Sequence, residues 1–261
     1  MKKILITGKG SYIGTNFREY LEQYPEEYAV EELDMMQENW DAHDFSNYDV
    51  VYHVAGIAHI KEIPENEELY YRVNRDLVIR VAQKAKEAGV KQFIFMSSMS
   101  VYGLNYSKTP IGVETECHPN TFYGISKYQA ECQLKELESE DFKICYVRPP
   151  MVYGENSPGN LTKLFKAVRK FHVFPTIKNK RSSISIDKLI MYIKQYIDEE
   201  KSGICLPQND EYMCTYETVK QQMEKEKVKV LYIPIFNPMI KLLIGRVGLV
   251  TKCFGDLVYQ K

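Results

Sequence analysis

The fold is decided near the start of the chain, where residues 3–14 read KILITGKGSYIG. A short apolar run is followed by closely spaced glycines, and apolar residues then recur at helical spacing until Pro25. This order predicts a strand, a tight glycine loop and a helix. Such a loop lets the backbone turn sharply and presents the N–H groups of the helix N-terminus to a diphosphate. We therefore predict that a dinucleotide binds at this loop.

The glycine loop departs from the spacing G-x-x-G-x-x-G at one position. Gly8 and Gly14 match the first and third glycines, but Ser11 stands at the second, directly after Gly10. Serine is small enough to let a pyrophosphate approach, although less freely than glycine. The predicted cofactor contacts of this loop are Gly8, Gly10, Ser11, Tyr12, Ile13 and Gly14.

An acidic residue follows where a ribose-binding carboxylate is expected. Residues 28–34 form the predicted second strand, and Asp34 lies 20 residues after Gly14. A carboxylate there would accept hydrogen bonds from the adenosine ribose hydroxyls, and the lack of an arginine after it favours NAD over NADP. The alternative is a solvated loop residue, because residues 19–49 are acidic throughout.

Strands and helices alternate over the next hundred residues. Apolar runs at 48–56, 92–96 and 143–147 are typical of buried strands, and residues 73–85 have the spacing of an amphipathic helix. This alternation predicts an α/β fold with a doubly wound parallel sheet. Because crossovers are right-handed, the strand ends gather at one edge of the sheet. We expect one crevice to contain the glycine loop, Ala55–Gly56, Ser97–Ser98 and Pro149–Val152.

A second informative pattern is NTFYGISK, at residues 120–127. It predicts the start of a helix that carries Tyr123 and Lys127 on one face, four residues apart. An ammonium beside a phenol lowers the phenol pKa from its usual value of about 10, which would suit Tyr123 for proton transfer near neutral pH. The same spacing recurs at Tyr216 and Lys220, where a surface pair is the simpler interpretation. The predicted convergence of strand ends distinguishes Tyr123 from Tyr216.

The overall composition excludes several classes of protein. The 261 residues are 44% hydrophobic and 26% charged, with a formal net charge of -1, which argues against a general nucleic-acid-binding protein. The six cysteines form no CxxC pair, so we expect reduced thiols and no metal site. No signal-peptide pattern and no long apolar run are found, which predicts a cytoplasmic protein without a membrane span.

Five sequence motifs follow one another along the chain. They are the glycine loop, residues 49–56, Ser97–Gly103, Tyr123-x-x-x-Lys127 and Arg148–Gly154. Together they resemble the extended short-chain dehydrogenase/reductase family, in particular its NAD-dependent epimerase/dehydratase branch, which acts on nucleotide sugars. The resemblance covers about residues 1–190. It implies a Rossmann fold, NAD as the cofactor and a nucleotide sugar, UDP-linked, as the substrate.

The resemblance implies a role for each matching residue. Tyr123 would be the catalytic acid/base, Lys127 would hold the nicotinamide ribose hydroxyls, and Ser98 would hydrogen-bond the substrate oxygen. The cofactor contacts expected outside the glycine loop are Asp34, Asp44, Phe45, Val54, Ala55, Gly56, Asn74, Ser97, Tyr123, Lys127, Pro149 and Val152. The expected substrate contacts are Ser98, Ser100, Tyr123, Asn160 and Arg181, of which Arg181 would pair with the nucleotide diphosphate.

The residues after Ser98 reduce the number of reactions that the resemblance allows. Dehydratases of this family carry an Asp-Glu pair there, whereas this chain has Met99 and Ser100. The predicted reaction is therefore NAD-dependent 4-epimerisation of a UDP-sugar through a transient 4-keto intermediate. The alternative enzyme is an NAD(P)H-dependent nucleotide-sugar 4-ketoreductase that uses the same residues. A nucleotide-sensing protein without catalysis is a third reading, since a fold does not determine a function.

The sequence predicts two structural parts and an apolar tail. Residues 1–154 would form the Rossmann domain, with residues 183–204 returning to it, and residues 155–182 and 205–261 would form a small C-terminal substrate-binding lobe. Residues 183–187 are predicted to form a strand. We also expect a homodimer. The apolar tail, residues 232–244, with Lys241 and Arg246 nearby, would pack on the lobe or on a dimer partner rather than on a membrane surface.

Overall fold

The computed structural model describes residues 1–58 and 60–261, except for the side chain of Asn160. The chain forms two compact units. The first contains Met1–Gly103, Glu116–Pro150 and Ile186–Pro207, and the second contains Leu104–Thr115, Met151–Ser185 and Gln208–Lys261. The segment 104–115 therefore belongs to the second unit, although it lies within the first 154 residues.

The strands of the described residues are short and mostly parallel. They are β1 (Lys2–Thr7), β2 (Tyr28–Leu33), β3 (Val50–His53), β4 (Gln92–Met96), β5 (Lys143–Val147), β6 (Met151–Tyr153), β7 (Val173–Pro175), β8 (Ser183–Ser185), β9 (Gly203–Cys205) and β10 (Leu231–Ile233). The helices are α1 (Tyr12–Leu21), α2 (Glu67–Tyr71), α3 (Leu77–Glu87), α4 (Phe122–Lys135), α5 (Asn160–Phe171), α6 (Ile186–Asp198), α7 (Thr215–Lys225), α8 (Asn237–Leu243) and α9 (Gly248–Phe254). Among the residues described, no helix has the length and apolar character that a membrane crossing requires.

A six-stranded parallel sheet forms the centre of the first unit, in the order β2-β1-β3-β4-β5-β9. Its inner strands are apolar on both faces because helices cover both sides, and Ile4, Val51 and Phe93 are completely buried. The predicted doubly wound parallel sheet, a Rossmann-like arrangement, is therefore confirmed. The strand order reverses between β1 and β3, and ligands of open α/β sheets bind in the crevice beyond such a reversal.

The helices of the first unit bury the apolar stripes that their sequences carry. Val81 and Ala85 of α3 and Leu134 of α4 pack in one core cluster with Phe93 of β4. The predicted helix at 73–85 is more complex than its spacing indicated, because a π-helical turn at Arg72–Asp76 joins α2 to α3. This turn places Asn74 inside the protein.

The second unit has two small parallel strand pairs, β6 with β8 and β7 with β10. Its core contains Val168, Phe174, Val219 and Met223, contributed largely by α5 and α7. The strand predicted at 183–187 ends at Ser185, because the residues that follow have the apolar spacing of a helix and open α6.

Candidate active site

The glycine loop lies across the carboxyl end of β3. The backbone N–H groups of Gly8 and Lys9 donate to the Leu33 carbonyl at the end of β2, at 3.0 and 3.2 Å. Gly8 has a φ of +117°, and a Cβ at this position would lie 2.7 Å from the backbone nitrogen of Ala55. Only glycine combines this conformation with so close an approach. Ser11 then caps α1, because its Oγ accepts a hydrogen bond from the Gly14 N–H at 3.2 Å.

Gly14 lets the first helix pack closely on the sheet. A Cβ at Gly14 would lie 3.1 Å from side-chain atoms of both Ile6 and Val54. The helix N-terminus at Tyr12 therefore comes directly after the loop and above the ends of β1 and β3. Backbone N–H groups and the positive end of a helix dipole meet here, as a diphosphate requires.

The two acidic residues predicted for the adenosine end have different surroundings. Asp34 follows β2, beside the glycine loop, and its Oδ1 accepts a hydrogen bond from the Met36 N–H at 2.9 Å. Asp44 is exposed, and hydrogen bonds from the Ser46 backbone and hydroxyl lower the pKa of its carboxyl. Phe45 is buried in the core cluster, and its predicted contact with the cofactor remains a prediction.

Asn74 organises the loop after β3. It is fully buried, its Oδ1 accepts from the Ile57 N–H and its Nδ2 donates to the Ile57 carbonyl, both at 2.9 Å. A Cβ at Gly56 would lie 2.9 Å from the Asn74 Oδ1 and 3.3 Å from the Lys127 Nζ. The side chain of Asn74, which we expected to contact the cofactor, therefore holds the backbone beside Lys127.

The N-terminus of α4 is held by two side chains. Thr121 Oγ1 accepts from the Gly124 N–H at 3.1 Å. Glu62, from the loop after β3, accepts from the N–H groups of Phe122 at 3.1 Å and Tyr123 at 3.2 Å. A carboxylate at a helix N-terminus satisfies unpaired donors and complements the helix dipole. The contact of Glu62 with this helix was not predicted from the sequence, because no local pattern connects Glu62 to a helix sixty residues away.

Gly124 brings α4 against the turn that carries Ser98. A Cβ at Gly124 would lie 2.7 Å from the carbonyl oxygen of Ser100, so a larger residue would separate the two elements. The turn itself begins at Ser98, whose Oγ accepts from the Ser100 N–H at 3.1 Å. The structure thus brings the Ser98 hydroxyl close enough to the Tyr123 phenol to influence the pKa of that phenol.

The pKa of Tyr123 differs from the sequence expectation. Burial raises the pKa of the phenol, and the hydrogen bond from Ser98 opposes this effect by lowering it. Lys127 does not contribute to this shift of the Tyr123 pKa. Its Nζ instead donates to the Met96 carbonyl at 2.8 Å and lies over the Phe95 ring. The structure therefore contradicts the expected lowering of the Tyr123 pKa by Lys127: the two residues share a helix face, but the ammonium points toward the end of β4.

Lys127 is itself a perturbed group. Its side chain is buried, and burial lowers the pKa of its ammonium to about 7, although the charge of Glu131 acts in the opposite direction. A buried lysine with few charge partners is typical of functional sites in clefts. Its position beside Gly56 puts a proton donor at the end of β3.

A buried network fixes both sides of this site. Arg148 donates to Glu131 from Nε at 3.0 Å and from Nη2 at 2.5 Å, and it donates to the Tyr102 hydroxyl at 2.9 Å. Ser97 Oγ also donates to Glu131, at 2.5 Å. Burial opposes the charge of Arg148, but the hydrogen bonds and charge of Glu131 raise its pKa. The residues on both sides of the Ser98 turn, Ser97 and Tyr102, are therefore attached to a single ion pair.

Two further residues at the strand ends have structural contacts. The Pro149 carbonyl accepts from the Met99 N–H at 3.0 Å, which attaches the Ser98 turn to the end of β5. His53 is completely buried on β3, with its Nδ1 2.7 Å from the Thr7 hydroxyl, and burial lowers its pKa to about 3. Such a histidine stays neutral at physiological pH and is a packing residue.

The remaining predicted contacts lie in the second unit. Val152 is part of β6, where it pairs with Ile184. Arg181 donates to the Gly255 carbonyl at 2.8 Å, and burial lowers the pKa of its guanidinium. Asn160 begins α5, but its side chain lies outside the described residues. The predicted cofactor contact of Val152 and the predicted substrate contacts of Asn160 and Arg181 remain predictions.

Comparisons with known proteins identify the family of this chain. The sequence model of the NAD dependent epimerase/dehydratase family matches residues 4–186. A UDP-glucose 4-epimerase of Vibrio cholerae is 32% identical in an alignment that covers 98% of this chain and 86% of that protein.

Solved structures share the fold. A UDP-glucuronic acid 4-epimerase from Bacillus cereus in complex with NAD has a TM-score of 0.75 at 18% identity, covering 88% of this chain and 85% of that one. A dTDP-4-dehydrorhamnose reductase from Bacillus anthracis str. Ames in complex with NADP has a TM-score of 0.71 at 21% identity, covering 90% and 84% of the two chains. At these identities the likeness establishes the fold.

Proposed function

The chain belongs to the NAD dependent epimerase/dehydratase family, and from this premise we propose that it is a nucleotide-sugar 4-epimerase that acts on a UDP-sugar. NAD is the cofactor of the family, as the resemblance predicted. The observation that carries the proposal is the close packing of the helix of Tyr123 on the turn of Ser98, where a Cβ at Gly124 would lie 2.7 Å from the Ser100 carbonyl oxygen. A phenol and a hydroxyl brought close in this way can bind one sugar oxygen from two sides.

The residues present fit a dinucleotide. Gly8 and Gly14 stand where a side chain would collide with the ends of β1 and β3, and α1 begins directly after them. In our proposal the loop and this helix N-terminus hold the diphosphate, Asp34 accepts from the adenosine ribose, and Lys127 donates to the nicotinamide ribose hydroxyls. When bound, NAD supplies reversible hydride exchange with the sugar carbon.

The proton transfer is assigned to Tyr123. Its phenolate would accept the proton of the sugar 4-hydroxyl as C4 is oxidised to the ketone, and the resulting phenol would return that proton when the ketone is reduced on the other face. Ser98 would donate a hydrogen bond to the same oxygen as charge develops on it. Because burial raises the pKa of Tyr123, the hydrogen bond from Ser98 is the contact that favours its ionised form.

Dehydration is not part of the proposal. Elimination of a sugar hydroxyl needs an acid and a base beside the catalytic hydroxyl, and the next two side chains in this turn, Met99 and Ser100, carry no carboxylate. Ser100 instead donates its backbone N–H to Ser98. The site can therefore oxidise and reduce one carbon but has no group here to remove water.

The proposal is tested on the purified protein without added cofactor. We expect bound NAD to be released on denaturation, and UDP-glucose or UDP-N-acetylglucosamine to be converted to its 4-epimer, as measured by NMR of the product. An epimerase regenerates its cofactor in each turnover and needs none added. Inversion of neither sugar, together with consumption of NADH or NADPH when a 4-keto nucleotide sugar is supplied, would replace the epimerase by the 4-ketoreductase.

A further inference from the structure

A long segment near the end of the chain carries charge of one sign only. We call residues 227–255 the basic segment: it contains Lys227, Lys229, Lys241, Arg246 and Lys252 and no aspartate or glutamate. The whole chain, in contrast, has a formal net charge of -1. All five of these cations are exposed. This segment is therefore a positive region on a protein that is otherwise slightly acidic.

Large apolar side chains are exposed in the same segment. The five most exposed between residues 235 and 249 are 48% to 77% exposed, and they are Ile235, Phe236, Met239, Leu242 and Leu249. Scattered single apolar residues are normal at protein surfaces, but five within fifteen residues, between the cations, are a patch that calls for a partner. We call this set the exposed apolar face.

The inner side of the basic segment is already packed. In α9, Thr251 is buried, and the Phe254 ring lies 5.6 Å from the Phe174 ring in the core of the second unit. The Thr215 hydroxyl donates to the Cys253 carbonyl at 2.8 Å. The exposed residues Leu249 and Lys252, three positions apart, therefore lie on the other side of a helix that is held in place.

The turn between α8 and α9 is ordered by its own hydrogen bonds. Gly245 N–H donates to the Thr251 Oγ1, and Thr251 Oγ1 donates to the Val247 carbonyl, both at 2.8 Å. At the other end of α8, Asn237 Nδ2 donates to the Thr176 hydroxyl at 3.0 Å. The exposed apolar face is thus presented by a fixed scaffold, which lowers the entropy cost of binding a surface.

We propose that the basic segment docks the protein on the surface of an anionic lipid bilayer. Apolar side chains of an interfacial helix enter the boundary between headgroups and acyl chains, while lysine and arginine attract anionic headgroups. The exposed apolar face supplies the apolar side chains, and the basic segment supplies the cations without an aspartate or glutamate. In this proposal the segment lies on the surface of the bilayer and does not cross it.

Charge argues against a second copy of this chain as the occupant. A two-fold dimer places the same patch of both copies against each other. Such a pairing through the basic segment would bring the two basic segments together, so that Lys241, Arg246 and Lys252 face cations of the other copy, with no carboxylate in the segment to compensate. An anionic surface is the complementary partner.

The test is co-sedimentation of the full chain with vesicles. We expect binding to vesicles of phosphatidylglycerol and phosphatidylcholine in equal parts, loss of that binding at high salt, and little binding to phosphatidylcholine alone. Lys241→Gln/Arg246→Gln should weaken binding about 25-fold, since each cation near an anionic surface contributes about fivefold. Phe236→Ser/Leu249→Ser should weaken vesicle binding by about tenfold or more, because two apolar side chains no longer enter the bilayer.

The matched control is Lys163→Gln/Lys166→Gln, which removes two exposed cations from α5 of the same unit. This variant should bind as the parent does. The proposal is overturned by no binding to anionic vesicles, by equal binding to both lipid mixtures, or by an equal loss in the α5 control. It is also overturned if the parent is a dimer that Phe236→Ser/Leu249→Ser dissociates, because a second copy would then cover the exposed apolar face. All substituted residues are exposed, so the variants should fold.

Discussion

Glu131 and Arg148 form a buried two-point ion pair that joins the helix of Tyr123 to the end of β5. Their side chains are 6% and 4% exposed, so the two charges have little access to water. Glu131 lies on the same helical stripe as Tyr123 and Lys127, at steps of four residues. Since Ser97 and Tyr102 also bind this pair, it determines where Ser98 stands relative to Tyr123.

The first prediction concerns this ion pair. Glu131→Gln should lower the free energy of unfolding by about 3–5 kcal/mol, because it leaves the Arg148 guanidinium buried without a counter-charge. Turnover should fall as well, since the amide leaves Ser97 and Arg148 only one acceptor oxygen to share, and the Ser98 turn loosens. Urea denaturation measures the first effect and the epimerase assay the second.

A second arginine–glutamate pair in this chain provides the control. Arg169 donates to Glu226 from Nε at 2.6 Å and from Nη2 at 2.5 Å, in the same two-point geometry but at the surface. Glu226→Gln should therefore have a much smaller effect on stability. Equal losses in the two variants would show that the buried pair has no special structural role.

The second prediction concerns Gly124. Exchanging glycine for alanine at a compatible position stabilises a protein by about 0.4–1 kcal/mol, but a Cβ here would lie 2.7 Å from the Ser100 carbonyl oxygen. Gly124→Ala should therefore destabilise the chain and reduce turnover while bound NAD is retained, because Tyr123 moves away from Ser98. Gly248→Ala in α9, where nothing lies within 4 Å of the added Cβ, is the control and should be neutral or stabilising. The same stability change in both variants would contradict the close approach.

The third prediction separates the two Tyr-x-x-x-Lys patterns. Tyr123→Phe should reduce turnover by roughly 10²- to 10⁴-fold, the usual contribution of general acid–base catalysis, without loss of bound NAD. Tyr216→Phe should leave turnover unchanged, because Tyr216 lies in α7 of the second unit, where its ring centroid is 5.5 Å from that of Tyr232 in β10. Steady-state kinetics and the amount of released NAD check both variants. Unchanged turnover in Tyr123→Phe would remove this residue from the mechanism.

The fourth prediction is a pH dependence of stability. Burial lowers the pKa of Lys127 from 10.5 to about 7 in the folded chain. Between these values the unfolded chain holds a proton that the folded chain has released, so stability from this residue rises with pH across that window. Lys127→Met should therefore be more stable than the parent below about pH 7, and this advantage should shrink by about 1.4 kcal/mol per pH unit above it.

Urea unfolding of the NAD-free proteins at about pH 6, 8 and 9.5 measures this difference. Lys220→Met is the control, because Lys220 is exposed and its ammonium remains hydrated at the same helical spacing from Tyr216. A stability difference between Lys127→Met and the parent that does not change with pH would show that the folded chain keeps Lys127 charged.

Local patterns made the fold predictable. The glycine loop after an opening strand, and the alternation of buried strands with amphipathic helices, each follow from a spacing that a few neighbouring residues establish. The boundaries were less predictable, as at residues 183–187, where the apolar spacing of α6 already begins at Ile186. The π-helical turn around Asn74 was likewise not visible, because its residues have ordinary helical spacing.

The sequence by itself determined the parallel α/β sheet, the family and its cofactor NAD, because periodicity and ordered motifs are properties of consecutive residues. Only the tertiary structure decided that Glu62 caps the helix of Tyr123, that Lys127 points toward Met96, and that the pKa of Tyr123 is raised. These facts depend on distances between segments dozens of residues apart and on exclusion of water from the folded chain. Hydrogen bonding and burial act through space, and no pattern along the chain contains that information.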